Sequence, residues 1–549
     1  MIRTLGLAAV LLMVGSAALA HQPDGKPAAF ADTPARLVPG IGSLHHPAKT
    51  TSAEAQKFFD QGLSFVYAFN HPEAMRSFER AAQLDSQMAM AYWGIALALG
   101  SNINSEIDAE RERSAHEAVE KARRLAVAGP EHERSYIEAL ARRYGVGKPA
   151  DRKALDLDYK RAMGELVRRY PDDLDAATLF AEAAMVLRPW RLWTADGKPE
   201  DGTLEIVAVL ESVLRRNPDH LGAIHYYIHA VEASPHPEWA LPYAPKLPLL
   251  ASAAGHLVHM PAHVYERIGD YMAAAQSNRA AAAADEALVK ARGVEGPSLF
   301  MYYSHNLHFL VVAESMAGRF ADGLAAARKL EAHVAPHVKT TPAVELFLPT
   351  PALVLVRFRK WDEVLTLPRP DPTQIVTRAY WHFARGMAFA ARGDAARAEA
   401  EHRGFVEAQR SITEEMAGAG GLMSESVRRV ADHVLRARIA GARGDARAEI
   451  ELLGQAVEIE DGVAYDEPPA WYLPARESLG GALLRQGRPG DAERVFRADL
   501  ERNRRSGRSL FGLMATLTAQ QRTYEAALVR QEFESAWRHA DIPLRLEDF

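Results

Sequence analysis

The chain has 549 residues, with 65 Lys+Arg against 71 Asp+Glu, a formal net charge of −6 and no cysteine. The missing cysteines exclude disulfides, thiolate metal sites and a cysteine nucleophile, and the mildly acidic balance lacks the concentrated basic face of a nucleic-acid binder. At 25% charged and 48% hydrophobic, the composition is that of a globular protein and not of a disordered acidic chain.

Residues 1–20 have the pattern of a secretory signal peptide: Arg3, an apolar stretch from Leu5 to Val14, and the small-residue site Ala18-Leu19-Ala20. The expected product is periplasmic or secreted, and no later apolar run approaches the ~18 residues of a membrane span. Residues 21–52 carry Pro23, Pro27, Pro34 and Pro39 with Gly25 and Gly40, which reads as a flexible leader. Cleavage after Ala20 would expose His21, whose amine and ring could chelate copper. A Pro-rich leader positions no partner histidine, so His21 reads as incidental.

From residue 53 the pattern recurs. Phe58, Gly62, Phe65, Ala74, Phe78 and Ala81 are spaced as positions 4, 8, 11, 20, 24 and 27 of a 34-residue unit. Tyr92, Ile95, Ala96 and Leu99 repeat positions 4, 7, 8 and 11 one period later, and Leu479, Gly480, Ala492 and Phe496 repeat 7, 8, 20 and 24 near the end. Turn-like pairs punctuate the middle, among them Gly269-Asp270, Gly318-Arg319, Gly393-Asp394, Tyr170-Pro171 and Asn217-Pro218. This resembles the tetratricopeptide repeat (TPR), two packed helices per unit. Small residues at 8 and 20 let helices approach to the ~8–10 Å of close packing. The expected fold is therefore all-α, a right-handed TPR solenoid over residues 53–549, interrupted by insertions near 188–202 and 289–298.

In TPR proteins, positions 2, 5, 9 and 12 line the concave groove. In the register set by Asn217-Pro218, His225 is 5, His229 is 9 and Glu232 is 12. One period later His256 is 2, His259 is 5, His263 is 9 and Glu266 is 12, and in the following unit His305 is 2 and His308 is 5. Seven of nine such positions are histidine, where 21 histidines in 549 residues would place well under one by chance. Helical geometry agrees independently of the family: at 100° per residue, His256, His259 and His263 fall within an arc of about 60°. The preceding unit adds Asp175, Thr178 and Glu182 at 2, 5 and 9.

A row of imidazoles flanked by carboxylates is a donor set for borderline transition metals. The expectation is an ion held by some of His225, His229, His256, His259, His263, His305 and His308, supported by Glu182 and Glu232. Imidazole suits copper, zinc, iron and nickel alike, and spacing does not choose among them. The metalloprotease helix motif H-E-x-x-H is absent. An open coordination position would allow catalysis, with Glu182 or Glu266 as general base. The alternative is a non-enzymatic scaffold that binds a small molecule, peptide or partner protein in the groove. Trp93, Trp190, Trp193, Trp471, Tyr472 and Arg476 are candidate groove residues for either reading. The segments HLVHMPAHVYERIGDY and LHHPAKTTSAEAQKFFDQGL resemble a family of exported bacterial TPR proteins, a resemblance that implies the fold and no particular chemistry.

Overall fold

The computed structural model describes residues 35–145, 151–292 and 296–549. The expected signal peptide and the first part of the expected leader lie outside the described residues, as does part of the 289–298 insertion. Antiparallel helices follow one another from Ala53–Tyr67, His71–Leu84 and Ala89–Leu99 to Gly507–Ala519 and Thr523–Ala536, each packed on the next. Among the described residues two isolated β-bridges, Asn102–Ser105 and Trp193–Pro199, are the whole of the extended pairing. The architecture is an all-helical solenoid.

The repeat positions explain the packing. Phe78, fully buried, sits against Gly62 of the helix before it and Gly94 of the helix after it, where a Cβ at either glycine would collide with the ring. Phe496 is held in the same way between Gly480 and Gly512. One large side chain thus fills the space that two absent ones leave, and three helices interlock. Helix ends are equally local. Gly269, Gly318, Gly393, Gly444 and Gly487 all have positive φ, between 67° and 79°, and stop the first helix of a pair. The aspartates that follow three of them, Asp270, Asp394 and Asp445, cap the next helix by accepting from the amides of Ala273, Arg397 and Ala448.

The buried residues divide into two hydrophobic cores, one running from Ile41 to Val264 and the other from Ala262 to Phe549. They meet at the short helices Gly255–His259 and Pro261–Ile268. The winding is tight enough to join distant units there. Helix Ala53–Tyr67 packs on Leu221–Val231, and the Tyr271 hydroxyl donates to the Arg504 carbonyl at 3.0 Å.

Residues 35–52 differ from the expected flexible leader. Buried Gln61 accepts from the Val38 amide at 2.7 Å and donates to the Arg36 carbonyl at 3.1 Å, Ile41 enters the core, and His46 is buried. A polar side chain inside a helix pair needs such partners, and the leader's backbone supplies them. The 188–202 insertion closes on itself through Thr194 to Lys198 and Glu200 to Leu192 backbone bonds, both 2.9 Å. Among the described residues no helix is long and apolar enough to cross a membrane.

Replacing Phe78 by alanine should destabilise the N-terminal helix pairs by about 3–5 kcal/mol, read as a lowered denaturant midpoint for the N-terminal part of the unfolding curve.

Candidate metal centre

Six histidines converge where the two cores meet. His225 and His229 come from helix Leu221–Val231, His256 and His259 from Gly255–His259, His263 from Pro261–Ile268, and His305 from Pro297–Met316. They form two sets, His225/His229/His256 and His259/His263/His305, and a third group, His229/Glu232/His263/Glu467, spans both; within each group the donor atoms lie within 4.8 Å of one another. The Nε2 atoms of His225 and His256 are 3.1 Å apart, those of His259 and His305 3.1 Å, and those of His259 and His263 2.5 Å.

The opposite ring nitrogens show which way these rings point. His225 Nδ1 lies 2.6 Å from the Tyr67 carbonyl, an acceptor, so it carries the proton. His259 Nδ1 lies 2.7 Å from Asn278 Oδ1, whose amide is oriented by a 2.9 Å bond from Nδ2 to the Ala274 carbonyl. Glu232 takes both remaining contacts: Oε1 is 2.8 Å from His229 Nδ1, and Oε2 is 2.5 Å from His263 Nδ1. Glu467 closes on the same His263 nitrogen from the loop before helix Ala475–Arg485. In His225, His229 and His259, Nδ1 held by an acceptor leaves the Nε2 of the neutral ring to present a lone pair to the cluster, whereas His256 Nδ1 is buried without a partner. His229 Nε2 is buried with no hydrogen-bond partner at all. A ring held at one nitrogen by a carbonyl or carboxylate, with the other free, is how metal-ligating histidines are oriented.

Burial lowers the pKa of His225, His256 and His259 well below the ordinary value, and that of His229 and His305 to about 3, so all five are neutral at physiological pH. His263 is the exception. Burial lowers its pKa as well, but the charges of Glu467 and Glu232 outweigh it and hold the ring up at about 10. Burial and the neighbouring Glu232 in turn push Glu467 up to about 7.

Aromatic rings wall the cluster. Phe69 stands 4.5 Å from the His225 ring, 5.9 Å from His229 and 5.7 Å from His256, and Trp190 stands edge-on to His229 at 5.5 Å. Phe309 packs on His259 and His263 at 5.2 and 5.6 Å. Phe69 and Trp190 both hold positive φ, at 53° and 60°, a conformation that costs a residue with a side chain about 1–3 kcal/mol. Both spend that strain on placing a ring against His229.

Other candidate residues lie elsewhere. His308, placed in the ligand row by the repeat register, stands off both sets between Phe347 and Tyr472, with ring separations of 5.4 and 5.9 Å, because it sits on the flank of its helix past His305. Glu182 faces Arg143 at 4.0 Å with its other oxygen buried and unpartnered, and burial raises its pKa to about 7. Glu266 is raised to about 8 by burial, also with an unpartnered oxygen, and is not among the carboxylates grouped with the histidines. Trp93 is core, packed on Phe59 and Tyr136, because the tight winding fills the groove of that unit. Trp193 donates to the Ala230 carbonyl at 2.8 Å and fastens the insertion to a histidine-bearing helix. Trp471 is buried on Phe383, the Tyr472 carbonyl accepts from Arg357, and Arg476 forms a two-bonded ion pair with Asp461.

Two contributors escape the repeat register. Glu467 lies far along the chain in a Pro-rich segment, and Phe69 sits in a turn. Asn278 was within reach: it occupies position 24, where Phe78 and Phe496 stand in other units, and a buried amide in a phenylalanine slot marks a polar partner opposite.

No family model matches the chain, and no curated protein matches it. Among solved structures, a human IFIT1 dimer with m7Gppp-AAAA is similar at 14% identity over 90% of this chain and 92% of that one, with a TM-score of 0.34. Yeast Tom70 is similar at 13% identity over 87% and 99%, with a TM-score of 0.31. The TPR domain of P58(IPK) is similar at 11% over 86% and 99%, with a TM-score of 0.21.

A second polar network anchors the first. Asp175 accepts from Tyr67 Oη at 2.6 Å and lies 2.8 Å from His46 Nδ1 and 3.3 Å from His220 Nε2. It thereby holds the residue whose carbonyl orients His225. Burial raises the Asp175 pKa, but the His220 and His46 contacts outweigh that and bring it well below the carboxylate range. Burial lowers the His46 pKa, and Asp175 more than restores it, to above its ordinary value. The carboxylate's contribution is lost as pH falls through its depressed folded pKa, and the imidazolium's as pH rises through its raised one. Asp175→Asn should therefore cost about 3 kcal/mol, with the largest gap from the parent between about pH 4 and 6.5 and a smaller gap on either side, as measured by denaturant unfolding across pH.

Proposed function

We propose that this helical-repeat protein binds a transition metal through the histidines at the seam of its two cores. The observation that carries the reading is the convergence of buried imidazole Nε2 atoms whose Nδ1 partners are already fixed by Tyr67, Asn278, Glu232 and Glu467. Burying so many neutral rings together is costly unless a shared cation offsets it. The donor set is all nitrogen with carboxylates behind it, which suits copper, zinc or iron over magnesium or calcium. A three-histidine set leaves a coordination position open, the condition for polarising a substrate or activating water. The N-terminal segment supports export, to the periplasm or beyond, where a cysteine-free metal site is insensitive to thiol oxidation.

A scaffold role is favoured by a different place in the molecule. The C-terminal units form an open pocket of about 440 Å³ lined by Arg357, Arg438, Arg485, Arg508, Glu449 and Glu477, three of whose arginines donate to the carbonyls of Asp548 and Phe549, with room for a charged ligand or peptide segment.

Protein exported through its own signal and purified without a tag should carry stoichiometric metal by ICP mass spectrometry, and a His259→Ala/His263→Ala variant should carry measurably less. Substoichiometric, mixed metal unaffected by the substitutions would overturn the reading. Asn278→Leu removes the acceptor that orients His259 and should weaken metal binding about 10–100-fold, measured by competition with a chromophoric chelator.

A further inference from the structure

We infer that the histidine cluster is a dinuclear centre, with one ion in the set His225/His229/His256 and a second in His259/His263/His305. The inference rests on the metal-binding reading above and concerns how many ions the site takes and how they are divided.

Distance comes first. Ligand nitrogens at ~2.0–2.1 Å from one ion can be no more than about 4.2 Å apart and are about 3.3 Å apart in a tetrahedral site. One pair in each set fits that spacing, His225 and His256 Nε2 at 3.1 Å and His259 and His305 Nε2 at 3.1 Å, while His259 and His263 Nε2 stand closer, at 2.5 Å, and must part to take an ion. The six histidines form two groups of three, and a further group of His229, Glu232, His263 and Glu467 takes one histidine from each and joins them. Across the division the sets touch through His229 and His263, with ring centroids 5.6 Å apart, and through His256 and His259, at 6.0 Å.

Chain topology makes the same division. His225 and His229 are one helical turn apart and meet His256 from the next unit, whereas His259 and His263 are one turn apart and meet His305 from the unit after that. Each set is thus a pair one turn apart plus a single histidine from a neighbouring unit. Two such half-sites related by one repeat are what a solenoid makes by stepping the same groove positions along its axis.

Charge completes the case. Two cations side by side repel, and the protein places two buried carboxylates where they act on both. Glu232 reaches one histidine of each set, with Oε1 on His229 and Oε2 on His263, and Glu467 adds a second negative charge at His263. A mononuclear site in either set would need no carboxylate spanning the two. A cavity with room for about one water molecule adjoins His229 and Glu232, lined by Trp190, Leu192 and Tyr465. It admits a hydroxide-sized ligand to the ions and excludes a peptide.

The test is the metal stoichiometry of the full chain after chelation and reloading with Zn(II). Two zinc ions per chain are expected in the parent, one in His225→Ala/His256→Ala, and one in His259→Ala/His305→Ala. One ion in the parent, abolished by either pair of substitutions, would overturn the dinuclear site while leaving the metal reading intact. No ion in the parent would overturn both. Circular dichroism melts establish that the variants fold, and glutamine replaces alanine at the same positions if a pair does not. Cu(II) loading supplies a readout that packing alone cannot move. Adjacent Cu(II) ions couple, so the parent should give an electron paramagnetic resonance signal far below two spins per chain, while each paired variant gives one full spin. Two uncoupled spins in the parent would overturn the adjacency.

Discussion

Glu232 is the residue on which the site depends. Its carboxylate is buried, stands on the turn that ends helix Leu221–Val231, and binds the Nδ1 of His229 on its own helix and of His263 on the next unit. A buried carboxylate is tolerated when its lone pairs are used, and here two imidazoles use them. Each bond also turns a ring so that its Nε2 faces inward. One side chain thereby satisfies itself, orients a histidine in each set, and ties consecutive helix pairs together.

That tie works because the two hydrophobic cores stop at this point. Both cores reach into residues 255–268, through Leu257, Met260 and Val264 on one side and Ala262 on the other, and the imidazoles of His256, His259 and His263 lie between them. The protein encloses this polar seam on every side. Phe69 and Trp190 are forced into left-handed conformations to cover it, Trp193 pins the insertion above it, and the Glu467 loop returns from the C-terminal units to close it. Burial keeps five of the six rings neutral, so that their lone pairs stay free. Strain and burial are thus concentrated at one place in an otherwise regular repeat.

The regular part was legible from residue spacing. Gly62, Phe78, Gly480 and Phe496 recur because a close helix approach and a filling ring are needed in every unit, and that need is local. The histidine row was legible for the same reason, since groove positions repeat with the helix period. Local spacing also overreached: it put His308 with the ligands and Trp93 in the groove. Both readings assume a groove open along its length, whereas tight winding turns Trp93 into core and leaves His308 against Phe347 and Tyr472. Residues 35–52, read as a leader, pack for a reason no composition reveals, namely that Gln61 and the solenoid surface need their backbone.

The sequence by itself determined the helix pairs, their period, and the face on which the histidines lie, because those follow from contacts within about 34 residues. Only the tertiary structure decided which histidines meet, that Tyr67 orients His225, and that Glu467 reaches His263. Those contacts span 158 and 204 positions, and what brings them together is the pitch of the superhelix. That pitch is the sum of many small packing angles, and no single motif encodes it.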